Sequence, residues 1–300
     1  MELLRGEEVV NAQIEELKER VKPGTVAVVI QVGEDSASNV YVRNKIKLCH
    51  ELGLEARHIK LPESITEVEL LSVVDECNED KTIHGVLVQL PLPNHINAEA
   101  VATAIHPLKD IDCFSSYNLG EVVKGNESIS PCTPKGILTI LSHYGLDDLK
   151  GKTVVVVGRS LIVGKPLVNL LISRGATVIN CNSNTRAEHL RRYIAHCDIF
   201  ISAIGKANYF NKDFFTDVLH HKKILQGYLD KSEVEANVMK ICKVAIDVGI
   251  NRDSEGKLCG DISRDIYEYF DYVTPVPGGV GRTTVLELMR NIINCREMQK

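Results

Sequence analysis

Several features that mark whole classes of proteins are missing from this sequence. No apolar stretch approaches the roughly 20 residues that a membrane-spanning helix needs. Residues 1–8 carry acidic groups where a signal peptide has a charged start followed by an apolar run. The basic residues are scattered and the net charge is −5, which gives no sign of binding to nucleic acid or to a membrane surface. We therefore expect a cytosolic protein whose partner is a small molecule.

Paired cysteines are also missing. The nine cysteines are an odd number, and none forms a Cys-x-x-Cys pair or stands at zinc-like spacing with histidine. The pattern predicts reduced, mostly structural thiols and no metal site. What remains is a chain of 300 residues, 44% apolar and 25% charged, which is typical of a globular protein near the size at which one domain becomes two.

The first half of the chain alternates apolar strands with amphipathic helices, which predicts a parallel sheet. The expected strands are residues 25–32, 55–60 and 83–89, and the expected helices are 37–52 and 67–79. Pro91 and Pro93 should end the third strand. Function in open α/β sheets collects at such carboxyl ends.

Residues 131–134 predict a boundary to a second unit, which opens with a helix over 135–144. A strand at 153–157, a loop at 158–164, a helix at 165–173 and a strand at 177–181 form a βαβ unit of the length that mononucleotide-binding folds use. Further strands are expected at 199–203, 244–248 and 272–274. The last helix, 284–295, is expected to pack back on the first domain.

The loop from Gly158 to Pro166 is the first chemical motif. It is not the G-x-G-x-x-G fingerprint, but its glycines let the backbone approach a pyrophosphate and the following helix presents free N–H groups. A plain turn is the alternative. Residues 181–186 lack the acid that NAD enzymes place after the next strand. Because Arg159 and Ser183 could bind a 2′-phosphate instead, NADP is favoured over NAD.

Four further segments are candidates for a binding site. Residues 274–284 combine two prolines and three glycines into a stiff backbone that could lie flat against a planar ligand, or simply form a tight turn. Tyr41 and Lys45 share one helix face, where a desolvated lysine could transfer protons; an exposed Lys beside a half-buried Tyr is the alternative.

Gln89 closes an apolar strand, either as a solvent-facing stop or as a donor to a ligand. Lys109-Asp110-Ile111-Asp112 offers two carboxylates, of which one could take paired hydrogen bonds from an amino-pyrimidine ring; a solvated acidic turn is the alternative.

Taken in order, these segments resemble the methylenetetrahydrofolate dehydrogenase/cyclohydrolase family over residues 25–291. The motifs that carry the resemblance are Ser38-x-x-Tyr41-x-x-x-Lys45, residues 88–93, Lys109-Asp110-x-Asp112, residues 131–136, residues 158–166, residues 245–251, Gly260-Asp261 and residues 274–281.

The resemblance implies an α/β fold of two domains, each with a mainly parallel sheet flanked by helices, the second Rossmann-like, with a cleft between them. It assigns residues 1–134, with the helix 284–300, to a folate-binding catalytic domain. Residues 135–274 would bind NADP, and residues 275–283 would form a Pro/Gly loop at the cleft. A homodimer built through the cofactor domain is also implied.

The implied chemistry is oxidation of 5,10-methylenetetrahydrofolate by NADP, followed by hydrolysis of the 5,10-methenyl product to 10-formyltetrahydrofolate. Lys45 would be the general acid/base of the hydrolysis, oriented by Tyr41 and Gln89, while Asp112 grips the pterin. The further substrate contacts would be Ser38, Pro277, Gly278 and Gly279. The cofactor contacts would be Gly158, Arg159, Ser160, Gly164, Ser183 and Ile250.

The chain departs from the family pattern at three places. Cys113 stands where the family usually has Gly, and Arg282-Thr283-Thr284 replaces Pro-Met-Thr. Arg282 is either a contact for an acidic ligand tail or a solvated helix cap. The connection between Asn211 and Lys243 is about two dozen residues longer than usual, and residues 213–241 are expected to be helical and to lie on the cofactor side. A monofunctional cyclohydrolase and a non-catalytic folate or nucleotide binder are the competing interpretations.

Overall fold

The computed structural model describes residues 1–226 and 240–299 and divides the chain into two compact units. The first, here called the N-domain, comprises Val10–Cys132 and Thr284–Lys300. The second, here called the C-domain, comprises Met1–Val9 and Thr133–Thr283. Both are built on parallel strands, so the chain is an α/β protein of two domains.

The N-domain contains a three-stranded parallel sheet in the order β3-β2-β4. Its strands and helices are β2 (Val26–Val32), α2 (Ser36–Glu51), β3 (Glu55–Leu61), α3 (Glu67–Glu79), β4 (Gly85–Val88), α4 (Ala98–Ala104) and α5 (Ser116–Val123). Every residue of the central strand β2 is buried, because helices cover both faces of a parallel sheet. The helix α1 (Gly6–Arg20) begins in the C-domain and ends in the N-domain.

Local signals fix the helix starts in the N-domain. Asp35 caps α2 by accepting a hydrogen bond from the backbone N–H of Ser38. Thr66 and Glu69 cap α3 reciprocally, each side chain accepting from the backbone N–H of the other. One apolar core, which includes Val28, Ile30 and Leu70, lies between the sheet and the α3 side of the domain.

The C-domain contains a six-stranded parallel sheet in the order β1-β11-β8-β7-β5-β6. Its strands are β1 (Glu2–Leu3), β5 (Thr153–Val157), β6 (Thr177–Cys181), β7 (Ile199–Ser202), β8 (Cys242–Asp247) and β11 (Phe270–Val273). Its helices are α6 (Cys132–His143), α7 (Gly164–Ser173), α8 (Ala187–Ala195) and α9 (Lys212–Gln226), with a 3-10 helix at Arg264–Tyr269. A small antiparallel hairpin joins β9 (Asn251–Arg252) to β10 (Leu258–Cys259).

The order of the C-domain strands reverses beside β5. The chain passes from β5 to β6 on one side and then returns to β7 on the other. Ligands of doubly wound sheets bind at the carboxyl ends of the strands at such a reversal. The loops that follow β5 and β7 are therefore where a dinucleotide is expected.

The first nine residues correct the expected domain boundary. Residues 1–134 were expected in one domain, whereas Met1–Val9 belongs to the C-domain. The reason is strand pairing, since Glu2 and Leu3 pair in parallel with Tyr272 and Val273 of β11. Two isolated strand residues carry too little periodicity to be recognised in a sequence.

The closing helix also differs from its expected bounds. Helix α10 runs over Val280–Met298, so it begins four residues before the expected start at Thr284. Its first turn includes Gly281 and Arg282, and Arg282 is exposed there. Arg282 is therefore solvated, as one of its two interpretations expected, but it stands in the first turn of α10 and not at the cap position.

The long connection before β8 is helical where the structure describes it. Helix α9 covers Lys212–Gln226, and the rest of the expected helix up to residue 239 lies outside the described residues. Phe215 and Val218 anchor α9 in the apolar core of the C-domain, beside Phe200 and Phe270. Helix α9 starts after the carboxyl end of β7, at the edge where a dinucleotide is expected. The next strand, β8, is parallel to β7 and begins at the opposite edge of the sheet, so α9 runs away from the dinucleotide edge.

None of the nine cysteines, all of which lie among the described residues, forms a disulfide bond, and eight of them are buried, as expected for structural thiols. Across residues 1–226 and 240–299, no helix has the length and apolar character needed to traverse a bilayer. In that same part of the chain, no three His, Cys, Asp or Glu side chains gather in a way that could hold a metal ion.

Gly85 offers a test of how tightly the N-domain sheet is packed. A Cβ at Gly85 would run into the side chain of Ile111, which is fully buried. We expect Gly85→Ala to lower the free energy of unfolding by about 1–3 kcal/mol, because overpacking a filled core forces side chains out of their rotamers. Urea unfolding of the purified protein measures this change.

Gly120→Ala is the matched control, because Gly120 lies inside α5 and a Cβ there meets no described atom within 4 Å. It should leave stability unchanged or raise it by up to about 1 kcal/mol, since Ala is the better helix former. Equal effects of the two substitutions would contradict the packing argument.

Candidate active site and dinucleotide site

Lys45 and Gln89 are brought together in the N-domain. Lys45 lies on α2, and Gln89 follows β4 directly. The Lys45 Nζ donates to Gln89 Oε1 over 3.0 Å, and both residues are half-buried. Gln89 is held in place because its Nε2 donates to the carbonyl oxygen of Leu90 (2.6 Å) and its backbone N–H to that of Ile30 (2.8 Å). Gln89 is therefore not a solvent-facing stop but a fixed partner of Lys45.

Tyr41 and Ser38 lie on the same helix as Lys45. Tyr41 is half-buried one turn before Lys45, and burial raises the pKa of its phenol. Ser38 is buried, and its hydroxyl donates to the carbonyl oxygen of Leu90 over 3.5 Å. Ser38, Lys45 and Gln89 thus surround the start of the Leu90–Pro91 segment at the carboxyl end of β4.

Asp112 reaches the same edge of the sheet by a different route. The preceding segment lies alongside β4, with Asp110 bridged in parallel to Val86. Two residues further on, Asp112 is level with Val88, close to Gln89. Burial raises the pKa of the Asp112 carboxyl, while the positive charge of Lys45 acts in the opposite direction. The two groups therefore interact electrostatically, as members of one site would.

The other two members of the Lys109–Asp112 motif have internal partners. The Lys109 Nζ donates to the carbonyl oxygens of Cys77 (2.9 Å), Asn78 (2.6 Å) and Asp80 (2.8 Å), so it caps the end of α3. The Asp110 carboxylate accepts hydrogen bonds from the backbone N–H groups of Phe114 and Ser115 and from the Asn118 amide. Lys109 and Asp110 are therefore both engaged inside the protein.

Asp112 itself is held by a neighbouring thiol. The Sγ of Cys132 lies 3.6 Å from Asp112 Oδ1, and Asn291 on α10 donates to the carbonyl oxygens of Ile111 and Ser130 over 2.8 Å each. These contacts join residues that are far apart in the sequence. The sequence motif that contains Cys132 carried no indication of this role.

The candidate dinucleotide site lies at the carboxyl end of β5. Gly158 has a φ of +133°, and a Cβ on it would run into the carbonyl oxygen of Ala203 in the loop after β7. A Cβ on Gly164 would run into the backbone of Gly158. The loop therefore folds back on itself and admits only glycine at these two positions, which leaves its backbone and the start of α7 open to a phosphate.

Polar residues follow both β5 and the neighbouring strand β6. The Ser160 hydroxyl accepts hydrogen bonds from the backbone N–H groups of Val163 (3.1 Å) and Gly164 (3.4 Å), so it caps α7. Arg159 and Ser183 are exposed. Val157 and Cys181 are paired across β5 and β6, and Arg159 and Ser183 each follow two residues later. Both side chains therefore lie at the carboxyl edge of the sheet.

The Pro/Gly loop belongs to the C-domain and precedes α10. Pro277 and Gly278 are exposed, and Gly278 has a φ of +106°. Gly279 is buried, and a Cβ there would collide with the carbonyl oxygen of Pro275. Gly279 is thus required by packing, whereas Pro277 and Gly278 are the members of the loop that a ligand could reach.

Ile250 lies on the same edge as the dinucleotide loop, after β8. Its side chain is 47% exposed, and its Cδ1 atom approaches Gly281 of α10. Beside it lie two fully buried acids, Asp247 and Asp261, whose carboxylates receive hydrogen bonds from several backbone N–H groups. Both acids stand in sequence motifs, residues 245–251 and Gly260-Asp261, but neither motif indicates a role for them.

Comparison with known proteins agrees with this arrangement. Residues 4–112 match the family model described as the catalytic domain of tetrahydrofolate dehydrogenase/cyclohydrolase. Residues 131–220 and 226–300 match the NAD(P)-binding domain of the same family. The chain belongs to the tetrahydrofolate dehydrogenase/cyclohydrolase family. The interruption between residues 220 and 226 falls inside the connection in which extra length was expected.

Relatives of this family match the chain over most of its length. The "Bifunctional protein FolD" of Streptococcus thermophilus is 44% identical over 273 residues, which are 91% of this chain and 86% of that protein. The crystal structure of the bifunctional enzyme FolD from Campylobacter jejuni aligns with a TM-score of 0.84 and 36% identity over 99% of both chains. That of Trypanosoma brucei FolD, complexed with NADP cofactor and inhibitor, aligns with a TM-score of 0.83 and 30% identity over 99% of this chain and 97% of that one.

The structure explains one departure from the family pattern. Cys113, where the family usually has Gly, has a φ of +60°. That left-handed backbone is easily adopted by glycine and costs other residues about 1–2 kcal/mol. The Cys113 side chain is fully buried, and its Sγ lies 3.5 Å from the carbonyl oxygen of Ile129. Burial of this side chain offsets part of the backbone cost.

Asp247 should make the stability of the C-domain depend on pH. Burial raises its pKa from 3.8 to about 7, with the charge of Asp261 acting in the same direction and three backbone N–H bonds acting against it. Unfolding therefore releases a proton between these pH values. The free energy of unfolding should fall as the pH rises from about 4 to about 7, by at most about 4 kcal/mol from this group, and level off above pH 7.

The Asp247→Asn variant isolates this contribution, because its amide does not titrate. Urea unfolding of both proteins at several pH values should show a steeper fall for the wild-type protein between pH 4 and pH 7. Parallel curves for the two proteins would show that Asp247 is ionised throughout and would contradict the assignment.

Proposed function

We propose that this protein oxidises 5,10-methylenetetrahydrofolate to 5,10-methenyltetrahydrofolate with NADP and hydrolyses the product to 10-formyltetrahydrofolate. The observation that carries the proposal is the hydrogen bond of 3.0 Å between Lys45 and Gln89, with Asp112 at the same carboxyl edge of the N-domain sheet. A glycine loop suited to phosphate accompanies it in the C-domain. Two relatives named as bifunctional FolD proteins match 91% and 99% of the chain.

In the hydrolysis, Lys45 transfers the protons. Water adds to the methenyl carbon and loses one proton. The hydroxyl so formed loses its proton as the bond between that carbon and the ring nitrogen breaks and the nitrogen gains a proton, so that one proton is released overall. A single amine that both accepts and donates can serve these two steps. Gln89 holds the Lys45 ammonium through its carbonyl oxygen, and its own amide is fixed on Leu90. The amine is therefore oriented before substrate arrives.

Asp112, Tyr41 and Ser38 bind the substrate. The Asp112 carboxylate accepts hydrogen bonds from the amino-pyrimidine part of the pterin, because its neighbours Lys109 and Asp110 are engaged inside the protein. The half-buried Tyr41 ring orients the ligand beside Lys45. Within the C-domain, Pro277 and Gly278 are the exposed members of the Pro/Gly loop, whereas Gly279 shapes the loop from inside.

In the oxidation, the dinucleotide accepts a hydride from the methylene carbon. The contribution of the chain is alignment of the two carbons rather than proton transfer. Gly158 and Gly164 leave room for the pyrophosphate at the start of α7, and Ser160 orders that start. Ile250, exposed after β8, supports the nicotinamide end.

Arg159 and Ser183 select NADP over NAD. Both are exposed at the carboxyl ends of neighbouring strands, where a 2′-phosphate would lie, and a guanidinium binds phosphate oxygens in a bidentate manner. The segment after β6 offers no carboxylate for a ribose 2′-hydroxyl before residue 188.

We further propose a cytoplasmic homodimer formed through the C-domain. Strand β6 stands at one end of the six-stranded sheet, and Cys181 is the one buried residue among its five; Ile172 on the adjacent helix α7 is 55% exposed. An edge strand with apolar residues beside it is a surface that proteins usually cover.

The decisive assay follows methenyl absorbance. Incubation with 5,10-methylenetetrahydrofolate and NADP should produce the methenyl compound, and added methenyl compound should be consumed. Consumption without production would indicate a monofunctional cyclohydrolase, and neither reaction would indicate a binding protein.

Lys45→Met should abolish the hydrolysis while leaving appreciable dehydrogenase activity, because hydride transfer needs no proton from Lys45. We expect a loss of at least about 100-fold in cyclohydrolase kcat, the range of a general acid/base contribution. Lys47→Met is the control, since its side chain is 75% exposed on the same helix. Equal loss of both activities in Lys45→Met would argue against the role of Lys45.

Arg159→Ala should raise the KM for NADP by about tenfold to a hundredfold, the range of a lost charge-assisted hydrogen bond. The KM for NAD should change by less than about twofold, because NAD has no 2′-phosphate. Arg192→Ala, an exposed arginine on α8, is the control. A parallel rise of both KM values would mean that Arg159 does not contact the 2′-phosphate.

A further inference from the structure

Asp261 is a buried acid that the proposed chemistry does not use. Its side chain has no solvent exposure, and its carboxylate accepts five hydrogen bonds. The donors are the Ser202 hydroxyl (2.8 Å), the backbone N–H groups of Ile204 (2.8 Å), Gly205 (3.3 Å) and Lys206 (2.8 Å), and the Asn251 amide (3.0 Å). A carboxylate with this many donors has a fixed orientation.

The donors come from two separate parts of the chain: the end of β7 with the residues that follow it, and the start of β9. Residues 203–206 follow β7, and Asn251 follows β8 after Gly249 and Ile250. Three successive backbone N–H groups that converge on one point form an anion-binding concavity. Here the anion is supplied by the protein itself, so this concavity is not the place of the cofactor phosphates.

Asp247 fixes the acid in turn. The Asp247 carboxyl accepts hydrogen bonds from the backbone N–H groups of Asp261 (3.0 Å) and Ile262 (2.8 Å), and from that of Gly249 (3.0 Å). Asp261 therefore cannot shift without breaking bonds to β8. Together the two acids connect the loops after β7 and β8 to the segment at residues 260–262.

These loops form the edge on which the dinucleotide is proposed to lie. The Ala203 carbonyl oxygen stands against Gly158, so residues 203–206 are the neighbour of the glycine loop across the reversal of strand order. Ile250 lies between Gly249 and Asn251, each of which is bound by one of the two acids. The position of both loops thus depends on Asp261.

We propose that Asp261 is a positioning residue of the dinucleotide site, which sets the loop after β7 and the Ile250 segment for cofactor binding and hydride transfer. It touches neither cofactor nor substrate. This inference rests on the proposed dehydrogenase function and concerns residues of the C-domain alone. It therefore predicts that loss of the carboxylate impairs the oxidation and spares the hydrolysis.

The test is Asp261→Asn, which keeps the shape of the side chain and replaces one acceptor oxygen by a donor. The KM for NADP and the dissociation constant of NADP, followed by titration, should both rise at least about tenfold, since a buried N–H group then faces another donor. Cyclohydrolase kcat/KM in the same preparation should stay within about twofold of wild type. A purely structural role would lower both activities together.

Asp253→Asn is the matched control. Asp253 also accepts hydrogen bonds from backbone N–H groups, those of Glu255 and Lys257 at 2.9 Å each, but it does so in the turn between β9 and β10. Its KM for NADP should equal that of the wild-type protein.

If Asp261→Asn does not fold, Asn251→Ala decides the question, because it removes only the donor that ties the Ile250 segment to Asp261. It should raise the KM for NADP about threefold or more, with the hydrolysis unchanged.

An NADP affinity within twofold of wild type in a folded variant, or a parallel loss of both activities, would overturn the proposal. A wild-type protein that binds NADP but does not oxidise the substrate would instead refute the proposed function, and the binding titration would still test Asp261.

Discussion

Parallel strands deliver their carboxyl ends to one edge of a sheet, and both candidate sites of this protein depend on that constraint. In the N-domain it places Gln89, at the end of β4, beside the helix that carries Lys45, and it brings Asp112 level with Val88. In the C-domain it places Gly158 against the loop after β7. Residues that are tens of positions apart meet because each follows a strand of the same sheet.

Carboxylates near the two candidate sites differ in their hydrogen-bond partners. Asp110 and Asp261 are satisfied by donors from the protein itself, so they order the backbone around the sites. The Asp112 carboxylate lies beside the Cys132 thiol and interacts electrostatically with Lys45. Burial raises its pKa. A desolvated acid with unfilled acceptor capacity gains most from a ligand that donates hydrogen bonds. Asp110 and Asp261 therefore have internal hydrogen-bond donors, whereas Asp112 can accept further hydrogen bonds.

The departures from the family pattern are tolerated for identifiable reasons. Cys113 adopts a left-handed backbone but gains a buried position for its side chain. Arg282 occupies the exposed first turn of α10, where a charged side chain remains in water. Helix α9 is anchored by Phe215 in the core of the C-domain and leads away from the dinucleotide edge. None of these changes removes a residue of either candidate site among those that the structure describes.

The sequence by itself determined the class of fold, most strands and helices, and the motifs of the family, because period and turn chemistry are local properties. It could not determine that residues 1–9 join the C-domain or that α10 begins at Val280, since both depend on pairing and packing with distant segments. It also could not show that Asp110 has internal hydrogen-bond donors from backbone N–H groups while Asp112 contacts a thiol, and it could not give a role to Asp261. Only the tertiary structure decided these points, because whether a carboxylate is satisfied depends on donors that approach it from elsewhere in the chain.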